Sequence, residues 1–109
     1  MFKRNDLLLV DDILQSLYSI REYTSGMSYD DFLRSKITVD AVIRNFEICG
    51  EASNYISNDF KLLHPDVEWR KLTDFRNRLI HHYFGVSHDI VWDVITSEVP
   101  YYINILESL

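Results

Sequence analysis

"VDAVIRNFEICGEASNYISNDF", Val39 to Phe60, places apolar or small residues at Val39, Val42, Phe46, Cys49, Ser53, Ile56 and Phe60, in steps alternating between three and four. Such steps gather one stripe along an α-helix and conflict with the period of two that a strand requires. The stretch therefore predicts one long central helix, with Thr38 placed to cap it. Gly50 stands inside this helix, where glycine costs about 1 kcal/mol relative to alanine. Its presence there predicts that a second helix backbone approaches closely.

The same periodicity continues on both sides. Leu7, Val10, Ile13, Leu14, Leu17 and Ile20 mark a buried helix face running from Asn5 or Asp6 to about Tyr23, ended by Thr24, Ser25 and Gly26. Ser28 offers an N-cap for a short helix or ordered loop in "SYDDFLRS". After the central helix, Pro65 ends regular structure and Asp66 is ready to cap a fourth helix from Val67 to Phe84, closed by Gly85. Ser87 can cap a fifth, with Ile90, Val91, Val94, Ile95, Val99, Tyr102 and Leu106 inward and a kink expected at Pro100. Residues 1–109 read as one all-α domain, an antiparallel bundle of four to five helices with short connections.

Composition narrows the function classes. A formal charge of −6 provides no global basic field, so contact with a polyanion has to come from a local cluster of cations. Seven Tyr and six Phe exceed what a monomer of 109 residues readily buries, which predicts rings at a subunit contact and a dimer. Cys49, the single cysteine, lies on the apolar stripe and reads as buried packing in a reducing compartment. The apolar run in "MFKRNDLLLVDD" is too short for a secretory signal or a membrane span, and the expected location is cytoplasmic.

Chemistry concentrates in "FRNRLIHHYFG", Phe75 to Gly85. A helical wheel puts Trp69, Leu72, Phe75, Leu79, Ile80 and Tyr83 on one apolar face, and Arg76 falls inside it. A guanidinium stays charged and resists desolvation, so it needs a partner there. Two readings stand: an ion pair with Glu47 or Glu51, or a cleft in which Arg76 grips an anion such as phosphate. His81 follows by five residues, about 140° round an ideal helix, so the two converge only if the helix unwinds or a two-fold axis juxtaposes two copies. His81 and His82 lie near the carbonyl end of the helix, which favours a protonated imidazole and suits either acid–base work or simple capping. Asn77 can orient His81 or donate to a phosphate oxygen, whereas Arg70, Lys71 and Arg78 face solvent. His64, His81, His82 and His88 lack metal-ligand spacing, and no metal or cofactor is expected.

"RNRLIHHYFGVSHDIVWDVI" resembles the signature of the HepT-like branch of the HEPN superfamily, R-N-x-x-x-H-x-Y followed by F-G-V and a helix carrying I-V-W. "IRNFEICGEASNYI" is similar to the family's central helix with its I-G-E-A pattern, and "DDILQSLYSIREYT" to its first helix. The resemblance implies a dimeric bundle with its R-x4-H motifs at the subunit interface, acting as a metal-independent endoribonuclease toxin. It implies that Arg76 binds the scissile phosphate, that His81 moves protons, and that Asn77 supports them. It further implies neutralisation by a nucleotidyltransferase antitoxin of the MNT type, with Tyr83 as the AMP acceptor. Two departures stand out, His82 after the motif histidine and Ser87 where an Asp is common. The alternative is a noncatalytic subunit that presents a nucleotide or substrate to such a transferase.

Overall fold

The computed structural model describes residues 5–81 and 87–109. Helix α1 spans Asp6–Thr24 and is capped by Asn5, whose side chain accepts the Leu7 amide at 2.8 Å. Gly26, at φ 75°, turns the chain into α2, Tyr29–Arg34. Ser28 and Asp31 close a reciprocal capping box there, each side chain accepting the other's backbone N–H. The central helix α3 covers Lys36–Tyr55, and its cap is Ser35 rather than Thr38. Thr38 instead contributes the amide that Ser35 accepts, one turn inside the helix.

The predicted continuation to Phe60 is broken. Ile56 and Ser57 are extended, and a separate helix α4 runs from Asn58 to Leu63. Asp6, at the start of α1, holds the break in place: its carboxylate accepts both the Ser57 amide at 2.9 Å and the Ser57 hydroxyl at 2.7 Å. Ser57 also caps α4 through the Phe60 amide. Ile56 stays in the core, so the apolar rhythm survives while the backbone does not.

Helix α5 spans Trp69–His81. It begins two residues later than the sequence suggests, so Asp66 is not adjacent to its first turn, and its predicted extension to Phe84 and Gly85 lies outside the described residues. The last limb comprises α6, His88–Asp93, a π-helical turn at Val94–Glu98, and α7, Val99–Glu107. Pro100 has no amide to donate, and the wider turn ahead of it, with the Val99 amide bonded to the Val94 carbonyl, lets the limb continue.

Helix α3 packs against both α1 and α5, and α7 lies against α1. The order of contacts makes neighbours antiparallel: Asp6 meets Ser57, and Ser53 meets Trp69 while Gly50 meets Leu72 and Arg76. Ile13, Leu17, Ile20, Val42, Cys49 and Tyr102 form the inaccessible centre of an all-α bundle. Among the described residues, no helix is long and apolar enough to cross a membrane.

Candidate functional site

Helices α3 and α5 touch most closely at Gly50. A Cβ built on this glycine would collide with the Cβ of Arg76 and lie 2.7 Å from the Leu72 carbonyl oxygen and 2.8 Å from the Arg76 Cγ. The close approach expected from an in-helix glycine is therefore present, and what it admits is the stem of Arg76. Three further contacts fix α5 along this seam. Ser53 Oγ donates to the Trp69 carbonyl at 2.7 Å, Thr73 Oγ1 donates to the Gly50 carbonyl at 3.4 Å, and the rings of Phe46 and Phe75 meet edge to face.

From this seat the Arg76 guanidinium reaches the rim of the seam. Its Nη1 donates to Asn77 Oδ1 at 2.9 Å, and its Nη2 donates to Glu51 Oε2 at 3.4 Å. The Nε is buried and has no hydrogen-bond partner. Of the two carboxylates considered from sequence, Glu51 is the one engaged, but the pair is not internal: its side chain is 54% exposed against 24% for Arg76. The contact is also long beside the 2.7–2.9 Å usual for a charge-assisted bond. An unmatched buried donor costs on the order of 1–3 kcal/mol. The arrangement is that of a planar cation fixed at its stem, with one buried N–H unmatched and Nη2 in long contact with a hydrated carboxylate.

Asn77 turns its carbonyl oxygen to Arg76, so its amide nitrogen remains to donate elsewhere. His81 is the last residue of α5, and the backbone is helical from Arg76 to His81. The approach to Gly85, where unwinding would bring the two together, lies outside the described residues. His82 and Tyr83 lie outside the described residues. The predicted apolar face needs one correction, because Ile80, a turn beyond Arg76, is 42% exposed while Trp69, Leu72 and Leu79 are buried. The solvated reading of the other cations holds: Arg70 lies 3.7 Å from Asp74, Lys71 bonds Glu98, and Arg78 is exposed.

Cys49 is fully buried, and burial pushes its thiol up to about 12, which removes it as a nucleophile near neutral pH. His64 packs its ring on Phe60, and its carbonyl accepts Trp69 Nε1 at 3.1 Å. His88 lies edge-on to Phe32. On the α7 side of α5 is a cavity of about 200 Å³ lined by Leu17, Phe46, Phe75, Val94 and Tyr102 among others. Lys71, Asp74, Arg78 and Glu98 stand among its lining, and sequence periodicity gives no sign that these charged residues and the apolar ones share a void.

Comparison with known proteins agrees with the family resemblance. The chain shares 43% identity over 98 residues with "Probable ribonuclease HepT" of Thermococcus cleftensis, covering 90% of this chain and 89% of the relative. It shares 41% over 100 residues with "Putative RNase MJ1380" of Methanocaldococcus jannaschii, 92% of each chain. "Putative RNase MJ0127" of the same organism is 38% identical over 109 residues, 100% of this chain and 90% of the relative. No solved structure matches the chain. The family model described as Ribonuclease HepT-like matches residues 13–109, and the chain belongs to the HepT-like ribonuclease family.

Proposed function

We propose that this protein is a metal-independent endoribonuclease, the toxin of a two-component system, with Arg76 and His81 as its catalytic residues. The observation that carries the reading is the guanidinium of Arg76, fixed by Gly50 at its stem and left with an unmatched buried N–H at its head. RNA supplies its own nucleophile, so cleavage needs a proton acceptor, a proton donor and a cation on the phosphorus that gains charge in the transition state. His81 takes the 2′-hydroxyl proton, the 2′-oxygen attacks phosphorus, and the 5′-oxygen leaves with a proton from an imidazole. The products are a 2′,3′-cyclic phosphate and a 5′-hydroxyl end.

A homodimer supplies the second imidazole. A five-residue step covers about 140° of an ideal helix, so a two-fold axis that pairs two copies of α5 is the simpler way to bring Arg76 and an imidazole together. Exposed Ile80 on α5 and Tyr55 on α3, 42% and 67% accessible, are apolar surface suited to that contact. Asn77 and His82 support the site. The partner is a nucleotidyltransferase antitoxin of the MNT type, and AMP transferred to Tyr83 would set a bulky anion where an RNA phosphate must bind.

The test is cleavage of RNA by purified protein in excess EDTA, with end-group analysis. Cyclic phosphate ends, lost in both Arg76→Ala and His81→Ala, are expected. Equal cleavage by parent and variants would assign the activity to a contaminant. Stable association with a transferase without any cleavage would favour a noncatalytic binding subunit instead. Intact mass after coexpression with the transferase, for parent and Tyr83→Phe, tests the acceptor: adducts on both would exclude Tyr83.

A further inference from the structure

Glu51 is poorly suited to be a structural counter-ion. It offers Arg76 one oxygen at 3.4 Å, leaves the adjacent Nε unmatched, and is itself more than half exposed. A structural partner would be expected to take two N–H groups at once, as carboxylates commonly do with arginine. Glu51 lies on the exposed side of α3, where water is the alternative partner for its carboxylate.

We propose that Glu51 is a displaceable competitor for the phosphate seat of Arg76. In the free protein it occupies the guanidinium loosely. An RNA phosphodiester takes the place of the carboxylate at Nη2, and the carboxylate moves out to solvent. The competition lowers affinity for RNA and for any other anion that would sit on the guanidinium. The proposal rests on Arg76 binding phosphate, as argued above.

The experiment measures binding of a short oligoribonucleotide carrying 2′-deoxy substitutions, which cannot be cleaved, by fluorescence anisotropy. Glu51→Gln keeps the shape and removes the charge, and is expected to tighten binding roughly five- to tenfold, the scale of an exposed ion pair plus the lost repulsion. Glu51→Ala should shift affinity in the same direction. Glu47→Gln, one turn away, should stay within about twofold of the parent. In an Arg76→Ala background the gain from Glu51→Gln should vanish. Unchanged or weaker binding by Glu51→Gln, or an equal gain without Arg76, would overturn the competitor role. If Arg76→Ala alone binds as the parent does, the phosphate reading itself fails, whatever Glu51 does.

Discussion

Lys71 and Arg76 are two cations on one helix, five residues apart, and their surroundings are opposite. Lys71 is 53% exposed yet bonds Glu98 at 2.6 Å and has Glu68 at 3.7 Å, so its pKa is raised, chiefly by the Glu98 bond. Arg76 is 24% exposed and has one long contact with a hydrated carboxylate. Burial raises the cost of an unmatched charge, so stability alone would place the better partner on the deeper cation. The inversion sets the α3–α5 rim, where the deeper cation has the poorer partner, apart from the well-matched exposed pairing of Lys71.

The sharpest way to break this comparison is to exchange the two cations for alanine. Arg76→Ala should reduce RNA cleavage on the order of 10²–10³-fold, as removal of a preorganised electrostatic donor does. Lys71→Ala should leave the rate within about twofold. A comparable loss in Lys71→Ala would erase the distinction.

Gly50→Ala attacks the seat instead of the charge. Its methyl collides with the Arg76 stem and the Leu72 carbonyl, so α5 must move away from α3. The expected cost is about 1–3 kcal/mol, read as a lower denaturation midpoint, despite alanine's better helix propensity. Cleavage should fall further than the unfolded fraction explains, because Arg76 moves with α5.

Away from that rim, Tyr102→Phe removes the bond from its hydroxyl to the Glu68 carbonyl, 2.8 Å long. A loss of about 0.5–1.5 kcal/mol is expected in chemical denaturation, with the cleavage rate unaffected. The smallest effect belongs to Lys71 and Glu98: a double-mutant cycle should give a coupling of about 0.2–1 kcal/mol that fades in high salt. Sign matters at alkaline pH. A raised lysine pKa means that this contribution is complete below the unfolded value near 10.4 and is lost as pH rises through the folded one.

Part of this contrast was legible in the sequence. Arg76 interrupts an apolar wheel, and Gly50 interrupts a helical stripe; each is a local anomaly visible in one dimension. Their meeting was not visible, because it depends on how α5 is registered against α3, a matter of packing between residues distant in the chain. The choice between Glu47 and Glu51 stayed open for the same reason, since both lie on the reachable side of α3 and only the crossing selects one. The end of α3 shows the limit most clearly. "SND" at Ser57 to Asp59 carries a cap signal, but the apolar steps run straight through it. Asp6, more than fifty residues away, holds the break in place by bonding Ser57.

The sequence by itself determined the helical class, the cap at Ser28, the interior place of Cys49 and the family. Those follow from periodicity and from bonds between neighbours in the chain. The tertiary structure alone decided where α3 stops, how Pro100 is accommodated, and that the guanidinium of Arg76 emerges beside Gly50 with Glu51 half engaged. Each of these is set by contact between separate helices, whose relative register and depth no local pattern encodes.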